Sequence, residues 1–221
     1  MTTVTLKDHR SPIRVGKIMC LGRNYQAHAA EMKAEIPESP VVFLKPSTAL
    51  LSSGATIRIP QFSHDVHHEV ELVVMIGKEG KFIPRQMAYE YVEGYGVGLD
   101  MTLRDVQAEA KKKGLPWSVA KGFDTSAPVS DFVPRASVAD PHDLLLTLEV
   151  NGVLRQHGRT ADMIFSIDKI IEYLSTVFTL EPGDLIFTGT PEGVARVLPG
   201  DHLHAELKTV ASLDVEVGSE N

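Results

Sequence analysis

The sequence predicts a mostly β fold of the α+β class, with a few peripheral helices. Two observations predict this class. Segments rich in β-branched and aliphatic residues outnumber helical segments, and strands do not alternate with helices as they do in a βαβ protein. The composition, 43% hydrophobic and 23% charged over 221 residues, is that of a globular chain and excludes a disordered, collagenous or coiled-coil protein.

The predicted strands are short and bounded by turn residues. The clearest boundary is Asn151-Gly152, because this dipeptide favours a two-residue hairpin turn between paired strands. We predict that residues 1–15 form a short N-terminal β appendage and that residues 16–221 form the main domain. The predicted strands cover residues 17–21, 41–44, 66–76, 94–101, 144–150, 153–156, 184–188, 202–208 and 212–217.

Helices are fewer, and three are predicted, at residues 25–34, 103–113 and 167–176. The last of these carries apolar residues at 167, 170, 171 and 174, a spacing that places them on one helical face. Asn24 stands where the N-cap of the first helix is expected, since a side-chain oxygen there can accept from a free backbone N–H.

Charge and composition exclude several functions. The net charge of −7 argues against a nucleic-acid partner, because phosphate binding needs a basic surface. The longest apolar run, residues 72–76, is far too short to cross a membrane, and the polar N-terminus lacks the apolar core of a signal peptide. The single cysteine, Cys20, cannot form an internal disulfide, so we expect a reducing compartment and a cytoplasmic protein.

Three carboxylates are the strongest candidates for a site. On a strand, Glu69 and Glu71 point to one face, and Asp100 ends a glycine-rich strand. Oxygen ligands of this kind suit Mg²⁺, Mn²⁺ or Ca²⁺. Two alternatives stay open at this point. The pair can form a solvated acidic face, or His67 and His68 can be the ligands, which favours zinc or iron.

Five motifs, in this order along the chain, make the sequence resemble the fumarylacetoacetate hydrolase superfamily. The similarity runs from about Lys17 to Val217 and is greatest to the short acylpyruvase-like and oxaloacetate decarboxylase-like members. The motifs are Gly22-Arg23-Asn24-Tyr25 with His28 and Glu31, His68-Glu69-Val70-Glu71, Gly98-Leu99-Asp100-Met101-Thr102 with Arg104 and Gln107, Ala120-Lys121-Gly122-Phe123-Asp124, and Thr188-Gly189-Thr190-Pro191 with Gly193.

The resemblance implies a mixed β-sandwich roll, with residues 16–221 as the catalytic domain, and a homodimer. It implies Mg²⁺ or Mn²⁺ held at the positions of Glu69, Glu71 and Asp100, with Ca²⁺ as a further candidate. It also implies a hydrolase that cleaves a carbon–carbon bond in an acylpyruvate or other β-diketo acid, such as acetylpyruvate or fumarylpyruvate. The products would be pyruvate and a carboxylic acid.

The same resemblance assigns the substrate-binding residues. Arg104 and Gln107 share a helical face, and the planar fork of an arginine suits a carboxylate. Lys121 would face the substrate carboxylate or enolate without forming a Schiff base. Without the resemblance, each would be an ordinary surface or turn residue. The full substrate-binding set is Arg23, Tyr25, Arg104, Gln107, Lys121, Gly189 and Thr190.

His28 and Glu31 are predicted to be the acid–base pair, with Lys121 as the third catalytic residue. His28 and Glu31 lie three residues apart in a predicted helix, so their side chains can meet. A carboxylate beside an imidazole fixes the tautomer of the ring. The alternative is an exposed ion pair with little effect. The polar segment 33–37 that follows would let the helix close over the substrate as a lid.

Three functions remain open on the sequence alone. The first is acylpyruvate hydrolysis, in which water attacks the distal carbonyl group and pyruvate leaves as its enolate. The second is oxaloacetate decarboxylation, or tautomerisation and isomerisation, through the same enolate. The third is a non-catalytic small-molecule binding module, although clustered carboxylates have no evident purpose there. The expected partners are a 2-oxo or β-diketo acid and a second copy of the chain, with no nucleic acid and no membrane.

Overall fold

The structure, a computed structural model, describes residues 2–32 and 34–220. Its helices are α1 (Gln26–Glu31), α2 (Arg104–Lys113), α3 (Ser118–Lys121) and α4 (Ile167–Val177). Its strands are β1 (Thr3–Val4), β2 (Ile13–Arg14), β3 (Ile18–Gly22), β4 (Val41–Lys45), β5 (Leu50–Ser52), β6 (Thr56–Ile59), β7 (Val66–His67), β8 (Val70–Ile76), β9 (Val92–Leu99), β10 (Thr102–Leu103), β11 (Ala127–Val129), β12 (Val133–Pro134), β13 (Leu145–Val150), β14 (Val153–Arg159), β15 (Leu185–Phe187), β16 (His202–Leu207) and β17 (Ala211–Ser219).

Two large sheets form the body of the molecule. The first has the order β4-β3-β15-β8-β9-β11-β5, and β12 pairs with β9 as its eighth strand. The second has the order β14-β13-β16-β17-β6. The predicted mostly β class is therefore confirmed. Among the described residues, no helix is both long and apolar enough to cross a membrane.

Strand β8 separates two hydrophobic cores, because its side chains alternate between the two faces of the first sheet. Val70, Leu72, Val74 and Ile76 belong to the larger core, which also holds the inward residues of the second sheet and of α4. Val73 and Met75 belong to the smaller core on the opposite face, with Ile18, Cys20 and Phe187. Glu71 lies on the same face as Val73 and Met75, so β8 places a carboxylate at the end of the smaller core.

Helix boundaries follow the predictions closely for α2 and α4 and less closely for α1. The predicted helix 25–34 is shorter in the structure, and Lys33 lies outside the described residues. Asn24 is not its N-cap, since that position is Tyr25 and no side chain caps it. Instead, the buried amide of Asn24 donates to the carbonyl groups of Phe165, at 3.0 Å, and Thr188, at 2.7 Å. It connects the start of α1 to the end of β15.

Local turn chemistry is confirmed at the predicted hairpin. Asn151 and Gly152 have φ values of 53° and 74°, the left-handed conformation that a two-residue turn requires. At the N-terminus, β1 and β2 form a separate two-stranded antiparallel sheet. Val4 and Val15 pack into the smaller core. The division of the chain at residue 15 stays a prediction.

Candidate functional site

Three buried carboxylates converge where β8 begins and β9 ends. The backbone N–H of Asp100 donates to the carbonyl oxygen of Glu69 at 2.8 Å, which joins the two strand ends. Glu71, inside β8, pairs with Gly98 of β9. One oxygen from each of Glu69, Glu71 and Asp100 lies within 4.8 Å of the other two. The structure thus brings together the three residues that the strand pattern predicts as metal ligands.

Three cationic side chains surround this carboxylate cluster. Lys121, at the end of α3, places Nζ 2.8 Å from Glu69 Oε2 and 2.6 Å from Asp100 Oδ2. Arg104, the first residue of α2, pairs with Glu69 Oε1. Lys45, at the end of β4, places Nζ 2.8 Å from Asp100 Oδ1. Sequence analysis did not single out Lys45; the only signal was a lysine and a proline after an apolar strand.

The pKa values of these groups follow from their burial and charge. Burial raises the pKa of Glu71 well above its usual range, and the charges of Asp100 and Glu69 add to the effect. Burial opposes ionisation of Glu69 as well, but Lys121 and Arg104 outweigh it and hold the pKa of Glu69 below its usual range. Burial would lower the pKa of Lys121, yet Asp100 and Glu69 raise it. Glu71 is the carboxylate that these cations compensate least.

The residues fit a hard divalent cation. Among the residues that the structure describes, no cationic side chain pairs with Glu71, whose Oε2 accepts a 2.7 Å hydrogen bond from the Gly189 N–H. Asp100 Oδ1 is buried and has the Lys45 ammonium group 2.8 Å away as its counter-charge. A divalent cation would supply the positive charge that Glu71 lacks. An all-oxygen set is the one that Mg²⁺ or Mn²⁺ prefers.

The alternative histidine ligands have other partners. His68 Nδ1 lies 2.9 Å from Gln156 Oε1, and burial lowers the pKa of His68 to about 4. His67 Nε2 lies 2.9 Å from Asp65 Oδ1. Neither imidazole contributes to the carboxylate cluster. The geometry therefore favours oxygen ligands over a zinc or iron site.

A small pocket opens over the carboxylates. Its volume is about 40 Å³, and Lys121 and Arg104, which both pair with Glu69, are among the residues that line it. The lining residues are Leu21, Gly22, Arg23, His28, Met32, Ala34, Phe43, Glu69, Glu71, Arg104, Gln107, Lys111, Trp117, Lys121 and Thr190.

Most of the predicted substrate-binding residues reach this pocket. Arg104 donates a 3.0 Å hydrogen bond to Gln107 Oε1, so the two do share a face of α2. Arg23 lines the pocket from a left-handed backbone conformation, with φ of 60°. Gly189 contributes its N–H to Glu71 rather than to the pocket, whereas the Thr190 side chain lines it.

Tyr25 is the exception among them. Its side chain is buried and lines a separate groove of about 810 Å³, together with Gln26 and Ala30 of α1. His28 of α1 lines the pocket over the carboxylates instead. Tyr25 precedes α1 as its N-cap, and its buried hydroxyl has no hydrogen-bond partner among the described residues. Its contact with substrate stays a prediction.

His28 and Glu31 do meet on α1. The distance between His28 Nδ1 and Glu31 Oε2 is 3.2 Å, and His28 is buried at the pocket. Glu31 also accepts from the Gly193 N–H, at 3.1 Å. Since a carboxylate can only accept, His28 Nδ1 carries a proton, and in the neutral ring Nε2 then holds the free lone pair. The pair connects α1 to the loop that follows Thr190.

Lys111 is a pocket residue that belongs to none of the five sequence motifs. It lies one to two turns beyond Arg104 and Gln107 on α2 and places Nζ 5.2 Å from the centre of the Trp117 ring. Burial lowers its pKa, and the nearby charges of Arg104 and Arg23 add to the effect. The helical spacing from Gln107 was the signal that could have placed it here.

Comparisons with known proteins give matches along most of the chain. The family model described as "Fumarylacetoacetate (FAA) hydrolase C-terminal" matches residues 17–218. The curated protein "Oxaloacetate tautomerase FAHD1, mitochondrial" of Mus musculus is 52% identical over 200 residues, which are 90% of each chain. Its counterpart from Homo sapiens is 50% identical with the same coverage.

Solved structures give the same relationship. A fumarylpyruvate hydrolase from Pseudomonas aeruginosa in complex with Mn²⁺ and pyruvate is 39% identical, with a TM-score of 0.93 over 100% of this chain and 97% of that one. A 5-carboxymethyl-2-hydroxymuconate delta-isomerase from Mycobacterium smegmatis is 40% identical, with a TM-score of 0.85 over 95% and 81%. The names of these relatives cover a tautomerase, a hydrolase and an isomerase, so they indicate an enzyme without selecting one reaction.

Proposed function

This chain belongs to the fumarylacetoacetate hydrolase family, and on that premise we propose that it interconverts the enol and keto forms of a 2-oxo dicarboxylate, with oxaloacetate as the main substrate. The observation that carries the proposal is the buried cluster of Glu69, Glu71 and Asp100, which would hold Mg²⁺ or Mn²⁺. When bound, such an ion acts as a Lewis acid on the 2-oxo oxygen of the substrate. The two tautomerase relatives, which are 52% and 50% identical, support tautomerisation over the other family activities.

The protein's own groups would then move the proton and hold the charge. His28 Nε2 is the free base at the pocket, because Nδ1 is engaged by Glu31. It would take the proton from the carbon between the two carbonyl groups or return it there. Arg104 and Lys121 would turn from Glu69 toward the substrate carboxylate, a change that also widens the pocket.

The charge of the site favours a dianionic substrate. Three buried carboxylates are matched by Lys45, Lys121 and Arg104, so a divalent ion leaves the site with two positive charges. Arg23 and Lys111 add positive charge at the pocket. Replacing Lys111 with Gln should therefore raise KM for oxaloacetate more than KM for acetylpyruvate, which carries one carboxylate. Equal changes would contradict a role in recognising the second carboxylate.

Acylpyruvate hydrolysis is the second candidate. It is favoured by the His28–Glu31 pair, since the same free Nε2 could take a proton from a water that attacks the distal carbonyl group. The likeness to a fumarylpyruvate hydrolase supports it as well. Decarboxylation of oxaloacetate is a weaker third candidate, because it leaves the same enolate without using this base.

One set of assays separates these candidates. Purified protein with Mg²⁺ is supplied with enol-oxaloacetate, acetylpyruvate and fumarylpyruvate, and loss of the enol and release of pyruvate are followed separately. Tautomerisation without pyruvate release supports the main proposal, and pyruvate from the acylpyruvates supports the second candidate. Pyruvate from oxaloacetate alone indicates decarboxylation. A protein that binds pyruvate with Mg²⁺ yet turns over none of them is a binding module.

We also propose that the chain forms a homodimer. The proposal rests on the family resemblance, with some support from the edge strand β4, where exposed Leu44 lies near exposed Leu115. Sedimentation at micromolar concentration should give about twice the 24.2 kDa mass of one chain. A stable species at the mass of one chain would contradict it. The cytoplasmic location expected from the sequence stays a prediction.

A further inference from the structure

We propose that Gln156 is a positioning residue that directs the hydroxyl proton of Thr190 into the pocket, where it donates to an anionic oxygen of the substrate. The inference rests on the proposed function, since it needs an anion beside the metal ligands. Gln156 lies on β14 and belongs to none of the five sequence motifs. It is the only buried residue of that strand, with 1% of its surface exposed.

The orientation of the Gln156 amide is fixed by its partners. Oε1 accepts from the Val70 N–H at 3.0 Å and faces His68 Nδ1 at 2.9 Å. Nε2 donates to Thr190 Oγ1 at 2.8 Å and to the Pro191 carbonyl oxygen at 2.9 Å. A backbone N–H can only donate and a carbonyl can only accept, so rotating the amide by 180° would oppose like groups at both ends.

Thr190 must therefore accept the hydrogen bond from Gln156. One amide proton goes to Pro191 and the other to Thr190 Oγ1, so the hydroxyl proton of Thr190 points elsewhere. Within residues 2–32 and 34–220, no group accepts that proton, although Thr190 is only 3% exposed. An unpaired buried donor costs about 1–3 kcal/mol. Thr190 lines the pocket beside the carboxylates, where a substrate oxygen could accept the proton.

The same amide fixes this donor relative to the metal ligands. Val70 and His68, which Gln156 contacts on one side, are the chain neighbours of Glu69. Thr190, on the other side, directly follows Gly189, whose N–H binds Glu71. A single side chain thus connects the strand that carries the ligands to the hydroxyl that would face the anion. A purely structural cross-link would affect stability alone, so anion affinity distinguishes the two roles.

The test measures oxalate binding to the Mg²⁺-loaded protein by calorimetry. Oxalate is an unreactive dianion whose adjacent oxygens resemble those of a 2-oxo acid enolate. Thr190→Val should lower the affinity roughly 10- to 100-fold, the range for a hydrogen bond to a charged group. Gln156→Glu should lower it comparably, because the new carboxylate would take the Thr190 proton. Thr190→Ser should stay near wild type, and Thr147→Val is a control for loss of a buried hydroxyl away from the pocket.

The decisive measurement is the double variant. In the Thr190→Val background, Gln156→Glu should cost much less oxalate affinity than in the wild-type background, because only the repulsion between the new carboxylate and oxalate remains once the Thr190 proton is absent. Equal losses in both backgrounds, or wild-type affinity in Gln156→Glu, would overturn the proposal. If Gln156→Glu does not fold, Gln156→Met serves in its place, since it frees the Pro191 carbonyl to take the hydroxyl proton. Failure of the wild-type protein to bind oxalate would refute the proposed function itself, and this assignment with it.

Discussion

Lys45 Nζ lies 2.8 Å from Asp100 Oδ1, and both side chains are shielded from solvent. The same ammonium group donates to the carbonyl oxygen of Met101 at 3.3 Å and to Ser126 Oγ at 3.1 Å, and it also contacts the Lys121 carbonyl oxygen. These contacts satisfy the buried cation and join β4 to the chain segments on both sides of α3. Lys45 therefore helps to hold the carboxylate cluster while remaining outside the lining of the pocket.

Replacing Lys45 with Met should destabilise the metal-free protein. Breaking a buried ion pair costs about 3–5 kcal/mol when one charge is left behind, and Lys121 will compensate part of that loss for Asp100. Mg²⁺ should stabilise this variant more than it stabilises the wild type, because the ion replaces the missing positive charge. Urea unfolding with Mg²⁺ and with EDTA measures both effects.

Lys17→Met is the matched control for this variant. Lys17 Nζ lies 2.9 Å from the buried Asp184, away from the carboxylate cluster. Its loss should lower stability without changing the response to Mg²⁺. If Mg²⁺ stabilised Lys45→Met and Lys17→Met to the same extent, Lys45 would have no electrostatic link to the metal site.

The contribution of Glu71 to the stability of the metal-free protein should fall as the pH rises above about 4.3, the ordinary pKa of a glutamate. His68, whose pKa burial lowers to about 4, contributes in the opposite direction up to its ordinary pKa of about 6.5, so the effect of Glu71 is measured as a difference between variants. Folding raises the pKa of Glu71, so between the unfolded and folded pKa values the folded protein holds a proton that the unfolded chain has released. The stability from that proton is fully present below the unfolded pKa and is lost as the pH rises through the folded one.

Glu71→Gln identifies the group responsible for this loss. The amide is never ionised, so the metal-free variant should lose less stability with rising pH, and its affinity for Mg²⁺ should fall sharply. Glu149→Gln is a control on β13, away from the site. Calorimetric melting at several pH values in EDTA, with a separate Mg²⁺ titration, measures both. Unchanged Mg²⁺ affinity in Glu71→Gln would show that this carboxylate is not a ligand.

The sequence predicts the carboxylate cluster but not the cations that balance it, for a physical reason. Strand periodicity places Glu69 and Glu71 on one face, and the end of a glycine-rich strand places Asp100, so local patterns suffice for the ligands. Lys45 follows an apolar strand, which is also what an exposed strand-end lysine does. Its partner is reached through sheet pairing between β4 and distant strands, and the sequence does not show that pairing.

Gln156 and Tyr25 also show that a local sequence pattern does not determine where a side chain lies in the fold. Gln156 ends a predicted return strand whose neighbours are exposed, so no local pattern separates it from a surface residue. Tyr25 belongs to a recognisable motif, yet its side chain lines a different groove from the pocket that His28 lines. In both cases a contact between distant chain segments decides the role. The hairpin turn at Asn151-Gly152, which depends on local chemistry, was predicted correctly. The sequence did not predict β5, β6, β10, β11 and β12, and the predicted strand 66–76 is interrupted at residues 68–69.

Gly189→Ala should weaken the metal site and destabilise the fold. Gly189 has φ of 98°, and an added Cβ would lie 2.6 Å from Asn24 Cβ. Either the loop shifts and the hydrogen bond to Glu71 is lost, or Asn24 must move. Gly200→Ala is a close control, since its φ is 93° but nothing lies within 4 Å of an added Cβ. Gly200→Ala therefore introduces the same backbone strain without a steric clash.

The comparison of these two glycine variants isolates the contact at Gly189. Mg²⁺ affinity and melting temperature should both fall in Gly189→Ala, whereas Gly200→Ala should lose only a few degrees and bind Mg²⁺ as the wild type does. Parallel losses in melting temperature with no difference in Mg²⁺ affinity would show that the Gly189 N–H does not support the ligand Glu71.

The last prediction concerns His28. Because Glu31 engages Nδ1, the free Nε2 is the group that would transfer the proton, and removing the imidazole should slow oxaloacetate tautomerisation by about 10²-fold or more. Acylpyruvate hydrolysis, if present, should fall as far, since it needs the same base. Mg²⁺ affinity should hold, because His28 is not one of the clustered oxygen ligands. Rates and Mg²⁺ binding measured on His28→Ala give both quantities.

Decarboxylation of oxaloacetate provides the internal contrast for this variant, because loss of CO₂ needs no proton acceptor. It should suffer less than tautomerisation in His28→Ala. Glu31→Gln should give a smaller loss than His28→Ala, since an amide oxygen can still accept from Nδ1 but no longer carries the charge that stabilises a protonated ring. Exposed Glu35, just beyond α1, supplies the control Glu35→Gln, which should leave every rate unchanged. Equal loss of all activities in His28→Ala would mean that the pair only orders the loop at Gly193, whose N–H binds Glu31. Wild-type tautomerisation in that variant would remove His28 from the mechanism.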